Sequence, residues 1–312
     1  MSDSLVDIAL LAYGGPETLA DIPAFLRRMT GREPEPSLLA ELEERYGRIG
    51  GGSPLPAITA RQARALQASL VQQLAFPVRV RHGFLFSEPT VAQCLEGLDA
   101  RVRLALPMSP FASRLTSERY RTALAAAGAG DVALLGGWHA SRPFVQALSR
   151  RIAEALDGSD PGEWAVLFTA HNVPLETVLE GDPYVDQLQQ TVAQLVPLVM
   201  PGDWRFGFQS RGRGGGEWLE PEVGDALRVL AGEGWKRVLV VPVGFVADNV
   251  ETLYDLDVVL RQQAEDLGME YRRVQAPNDS PQFIEALADV VIQHLAQRPV
   301  ERPQGPHDHG GR

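Results

Sequence analysis

The chain has 312 residues, 45% hydrophobic and 22% charged, the profile of one large globular domain or two of about 150 residues each. A net charge of -11 and a pI near 5.1 disfavour a nucleic-acid partner, because neutralising phosphates requires a basic face. No apolar run reaches the ~18 residues that span a membrane, the opening MSDSLVDIALLAYGG lacks the basic start of a signal peptide, and the single cysteine, Cys94, excludes a disulfide, a Cys-ligated cluster and a zinc ribbon. A cytoplasmic protein is expected.

Apolar runs of strand length recur along the chain: Leu5–Ala12, Val78–Phe86, Val102–Leu106, Val132–Leu135, Trp164–Thr169, Arg205–Phe208, Val238–Val243 and Glu270–Val274. Segments of helical period lie between them, namely Ile58–Leu74, Arg142–Leu156, Tyr184–Val196, Val250–Leu267 and Phe283–Gln297. Strands alternating with helices imply parallel sheets covered on both faces. The runs are continuous rather than alternating, as buried parallel strands are. IALLAYGGP at 8–16 and AVLFTAHNVP at 165–174 share one plan, an apolar strand followed by a polar turn and a proline. The fold expected is therefore α/β: two similar doubly wound, Rossmann-like halves, residues 1–138 and 139–298, with parallel sheets and a central crevice. The tail 299–312 is rich in Pro, Gly and charge and reads as disordered; His307 and His309 within it make a weak metal site.

Ligands of open α/β sheets bind beyond the carboxyl ends of the strands. The strand WAVLFT delivers His171 to that edge, although position alone leaves its role open. His82 and His294 read as packing or surface residues, and His139 is ambiguous. The segment DNVETLYDLD at 248–257 is a sharper signal. Asp248 followed three residues on by Glu251 has the form of a capping box. Helical spacing puts Glu251, Tyr254 and Asp255 on one face, where stacked carboxylates repel unless a cation visits.

The loop YGRIGGGSP at 46–54 allows a close backbone approach by a ligand, but matches no nucleotide fingerprint. Around it lie Arg27, Arg28, Arg32, Arg45, Arg48, Arg61 and Arg64, a solvated face or a subsite for an anion. The second glycine run, RGRGGGEW at 211–218, reads as a loop near the crevice mouth. All but one of the chain's basic residues are arginine, Lys236 being the exception. Codon usage is the simple explanation, and any ligand carboxylate meets planar donors either way.

Taken in order, AYGGPET at 12–18, IGGGSPL at 49–55, SPFAS at 109–113, TAHNVP at 169–174, GDPYVDQL at 181–188, FQSRG at 208–212, PVGFVADNVETLYDLD at 242–257 and APNDSPQFIEALADVV at 276–291 resemble the blocks of the ferrochelatase family. The resemblance runs from about Leu5 to Leu295. It implies a chelatase-like fold and insertion of Fe(II) into a porphyrin. His171 and Glu251 fall on the family's catalytic and metal-binding pair. The form most similar is the short, soluble one that metallates coproporphyrin III, giving coproheme on the way to haem. In that form Tyr13 falls on a tyrosine that approaches the central metal, and Arg45, Ser53 and Tyr120 fall on residues holding the porphyrin carboxylates. No tightly bound cofactor is implied, since Fe(II) is a substrate, and neither is membrane insertion; transient contact with neighbouring haem-pathway enzymes is. Three positions depart from the pattern. Phe86 replaces a histidine, the basic pair near Met29–Arg32 is shortened, and Val259 interrupts the acidic row that starts at Glu251 and Asp255.

Chemistry favours the same reading. Metallation must bend the ring, remove two pyrrole protons and strip water from the ion, so a cleft shaped for the bent ring lowers the barrier. Coproporphyrin III carries four propionates against two on protoporphyrin IX, and the Arg27–Arg64 segment offers donors while no apolar lip shows in the sequence. The alternatives are metallation of protoporphyrin IX, cobalt insertion into a related ring, or a non-catalytic tetrapyrrole or metal carrier.

Overall fold

The computed structural model describes residues 5–212 and 215–297. The expected tail at 299–312, with His307 and His309, and Arg213 and Gly214 of the second glycine run lie outside the described residues.

The described residues form two four-stranded parallel sheets. The first contains β1 (Val6–Ala12), β2 (Val78–Phe84), β3 (Val102–Pro107) and β4 (Ala133–Leu134) in the order β2-β1-β3-β4. The second contains β5 (Ala165–His171), β6 (Asp203–Gln209), β7 (Arg237–Val241) and β8 (Glu270–Arg273) in the order β6-β5-β7-β8. The two orders are the same, and each places a central strand, β1 or β5, between two neighbours. Every residue of β1 is buried, as is β5 up to Ala170, which explains their continuous apolar sequences.

Alternation along the central strands divides the core into layers. Ala9 and Leu11 of β1 face the helices Val91–Leu95 and Arg114–Ala126 through Val91, Cys94, Tyr120 and Leu124. Ala165 and Leu167 of β5 face the helix Val223–Gly232 and the helical stretch Glu251–Asp266. The opposite faces, with Ile8 and Leu10 on β1 and Val166 and Phe168 on β5, belong to one shared apolar core. Helices Leu55–Gln73, Arg142–Leu156, Tyr184–Val199 and Pro281–Gln297 fill it. The last of these packs on both Leu55–Gln73 and Arg142–Leu156, so the last described helix returns to the first half. No described helix is long and apolar enough to cross a membrane.

Two sequence expectations change locally. The helix after β7 opens as a π-helix over Glu251–Leu260 and only then becomes an α-helix, Arg261–Asp266. Its wider turn fans out side chains that α-spacing would stack; such segments are frequent at functional sites. The capping box is also absent. The Glu251 N–H donates to Asn249 Oδ1 (2.8 Å), and the Asp248 carboxylate instead accepts from Thr252, Arg273 and Asn278. Long-range partners outcompete the local cap because Arg273 is 6% exposed and needs its counter-charges.

Candidate functional site

The carboxyl ends of the central strands, where ligands of such sheets bind, carry Tyr13 just past β1 and His171 as the last residue of β5. His171 stands in register with Gln209 of β6. Its imidazole is 42% exposed, so a ligand can reach it. Nδ1 lies against the Asn172 carbonyl, which assigns the ring proton to Nδ1 and leaves Nε2 as an acceptor. Nε2 is 3.5 Å from Glu251 Oε1. Two acceptors face each other here, so a proton taken up by one can be passed to the other.

Glu251 supplies the conditions for that proton. Burial is the largest influence on its carboxyl and raises its pKa above the ordinary 4.5; the His171 charge opposes this, Asp255 adds to it and Arg45 opposes. Its backbone is anchored from below. Gln209, 3% exposed, donates to the Glu251 carbonyl (2.9 Å) and accepts from Thr169 (2.9 Å). Gln209 is a site-building residue that the sequence reading quoted only within FQSRG. A polar residue ending an otherwise apolar strand was the available signal. Asn172, 1% exposed, exchanges hydrogen bonds with the backbone of Leu219 (3.0 Å each) and holds the loop behind His171. The Tyr184 hydroxyl donates to the His171 carbonyl (3.1 Å). Burial raises the Tyr184 pKa most, and the Glu251 and Asp182 charges add to it.

Tyr13 enters from the other sheet and is 36% exposed. Burial raises its pKa most, with the nearby Arg119 opposing and Glu251 contributing, so Tyr13 lies within electrostatic reach of Glu251. Its ring packs edge-on against Phe86 at 4.7 Å, and its hydroxyl accepts from Arg119 Nη1. The turn after it interlocks with the loop carrying Ser53. The Ser53 N–H donates to the Pro16 carbonyl (2.7 Å), and a Cβ on Gly15 would meet Ser53 Cβ at 2.7 Å. A Cβ on Gly52 would sit 1.9 Å from the Glu17 carbonyl oxygen. Of the three glycines that the sequence reading opened to a ligand, Gly52 is thus needed by the chain's own backbone, while Gly50 and Gly51 have open space beside them. Ser53 itself is 8% exposed, and its Oγ accepts from Leu55 N (3.3 Å).

The structure brings Arg45 to the site through an acid. Its guanidinium pairs with Asp255 and lies 4.9 Å from the Tyr254 ring centroid. Ser210 also donates to Asp255 (2.5 Å). Asp255 is therefore partnered, and the expected row of carboxylates is a single crevice acid, Glu251, with a neutralised neighbour. Asp257 turns away to Arg273 (2.7 Å). Arg27, Arg28 and Arg61 likewise pair with Glu33, Glu88 and Asp279. A cavity of about 450 Å³ beside this region is lined by Arg45, Ser210, Tyr254, Asp255 and Val259, but not by His171, Glu251 or Tyr13.

Tyr120 lies in the core layer outside the first sheet, within electrostatic reach of Tyr13. It is 2% exposed and packs with Leu11, Ala105 and Leu124. Leu124, one turn on, occupies the same inward face, so core packing decides its direction. The expected absence of an apolar lip also needs correction. Leu115 is 41% exposed and Leu179 77%. Arg114 bonds the Glu180 carbonyl and, through its N–H, Asp182 (2.7 Å), so the segments bearing the two leucines adjoin. They are far apart in sequence, which hid the patch.

A family model described as Ferrochelatase matches residues 7–295. The chain belongs to the ferrochelatase family. A coproporphyrin III ferrochelatase of Anoxybacillus flavithermus is 33% identical over 95% of this chain and 98% of that protein. A ferrochelatase of Acidobacterium capsulatum is 36% identical over 95% of both chains. The structure of SirB from Bacillus subtilis with Fe3+ superposes with a TM-score of 0.57 at 13% identity, covering 92% of this chain and 94% of that one, which shows the shared chelatase fold. The chain is thus an enzyme of haem biosynthesis that inserts iron into a porphyrin, on a frame of two Rossmann-like halves.

Proposed function

We propose that the ring metallated is coproporphyrin III, that Fe(II) is a passing substrate rather than a resident cofactor, and that His171 and Glu251 carry the chemistry. The observation that supports the residue roles most is the 3.5 Å approach of His171 Nε2 to Glu251 Oε1 at the carboxyl edge of the second sheet. In this reading Nε2 accepts a pyrrole proton and Glu251 takes it onward, its burial-raised pKa making it a readier proton acceptor than an ordinary carboxylate. Two protein donors leave most of the coordination of Fe(II) to water and then to ring nitrogens, which suits an ion that must move on. Tyr13, on the opposite strand end, faces the other side of the ring, and Ser53 and Arg45 stand where ring carboxylates approach.

Near full-length similarity to proteins named for coproporphyrin III supports the ring choice. One observation favours protoporphyrin IX as the second reading, the exposed pair Leu115 and Leu179. Cytoplasmic placement and transient contact with enzymes that supply or take the ring complete the proposal. The test is anaerobic: mix protein, Fe(II) and either ring, both kept monomeric, and follow the Soret band. Faster metallation of coproporphyrin III is expected. Equal or faster metallation of protoporphyrin IX overturns the ring choice, and a ring that binds unmetallated turns the protein into a carrier.

A further inference from the structure

We propose that Arg119 is a ring-binding residue, its guanidinium receiving one porphyrin carboxylate at the crevice mouth beside Tyr13. The proposal rests on the porphyrin reading above. Three observations meet at this side chain. Helix Arg114–Ala126 buries Tyr120 and Leu124, and the preceding position, Arg119, points instead to the crevice, where Nη1 donates to the Tyr13 hydroxyl. The cation lies 5.7 Å from the Tyr13 ring centroid and 5.8 Å from that of Phe86. Leu115, one turn earlier on the same helix face, is 41% exposed and extends this surface.

The partners matter by their charge. Arg27, Arg28, Arg45 and Arg61 each meet a carboxylate of the chain itself. The partners of Arg119 among the described residues are a neutral hydroxyl and two aromatic rings. A guanidinium has five N–H donors, and one bond to Tyr13 leaves a fork for a planar anion. The two rings hold the cation without neutralising it, so less freedom is lost when the anion arrives. This also accounts for Phe86. An aromatic ring there offers a face to the guanidinium, whereas a protonated histidine would repel it. A flat apolar ring bearing carboxylates on short arms matches a surface of leucine and aromatic edges beside one open cation.

Arg119→Gln and Arg119→Lys, made in the full chain, test the assignment by fluorescence titration of iron-free rings and by steady-state metallation. The Gln variant is expected to weaken coproporphyrin III binding and raise KM about tenfold, as loss of a charged hydrogen bond does, with kcat within about twofold. Lys should recover most of the loss, and added salt should shrink the difference. The tetramethyl ester, dispersed in detergent, should bind wild type and the Gln variant alike. Unchanged affinity for the acid, or equal losses for acid and ester, overturns the proposal. So does a fall in kcat with binding intact, which would make Arg119 a support for Tyr13 alone. The titration uses no iron and can be repeated with protoporphyrin IX, which also carries carboxylates. Failure of wild type to metallate, or a different ring choice, is thereby read separately from failure of Arg119.

Discussion

The two sheets have the same strand order, yet their central strands end in different chemistry. Beyond β1 stands Tyr13, hydrogen-bonded to a cation and packed on Phe86, in a turn locked by glycines against the Ser53 loop. At the end of β5 stands His171, with its Nδ1 proton committed and Nε2 turned to a carboxyl of raised pKa. A repeated topology supplies two equivalent edges, and in the proposed function the residues placed there make one edge hold the ring and the other react. The second sheet also disposes of its surplus acids. Asp255 goes to Arg45, and Asp248 and Asp257 go to Arg273, so Glu251 alone faces the imidazole.

The sharpest way to break this asymmetry is to remove the reactive end. His171→Ala should lower kcat by about a hundredfold or more, the scale of a lost general base, while thermal unfolding moves little because the side chain is 42% exposed. Turnover above a tenth of wild type would return His171 to a packing role. The supporting charges come next. Burial alone would depress the Arg273 pKa, but its bonds to Asp257 and Asp248 outweigh that and raise it. Arg273→Met should therefore cost about 3 kcal/mol in urea unfolding by stranding two acids, and a loss under about 1 kcal/mol would contradict the account.

The holding end should respond more weakly. Arg45→Ala should raise KM for coproporphyrin III by less than about fivefold, ~1 kcal/mol, because Asp255 already occupies its guanidinium. Asp255→Asn should lower KM by freeing it; if KM instead rises, Arg45 does not serve the ring. The smallest effect is on stability. A carboxyl whose native pKa lies above its unfolded value loses folding free energy on ionising, so Glu251 destabilises the fold as pH rises above 4.5. Glu251→Gln should melt at a higher temperature than wild type at pH 8, with the gap closing below pH ~4, where both unfolded and native carboxyls hold their proton. Equal melting temperatures at both pH values would show that the carboxyl is not desolvated.

The strands were legible because buried parallel strands are uninterrupted apolar words. Helix Arg114–Ala126 was not, since Tyr120 and Leu124 are its only buried residues and leave no stripe to read. The burial of Tyr120 was hidden for a related reason: the resemblance that named it carries no information on its face, which Leu124 one turn on reveals. The placement of His171 at a strand end and of Glu251 beside it was legible from strand ends and motif. The π-turn was not, because no residue type in Glu251–Leu260 marks it. Asp248 pointed to a local cap, and its partners Arg273 and Asn278 lie too far along the chain for any local rule. The same distance hid that the segments bearing Leu115 and Leu179 adjoin.

The central claim is that Glu251 acts as a proton-handling group and does not merely shape the crevice. Glu251→Gln keeps size and the Gln209 contact, which uses the backbone carbonyl, but cannot carry charge. Single-turnover metallation of coproporphyrin III, with ring affinity measured in parallel, tests this most directly. The account predicts affinity within about twofold of wild type and a metallation rate at least a hundredfold lower, ~2.7 kcal/mol of barrier. Metallation at the wild-type rate by a variant that binds the ring normally would contradict it.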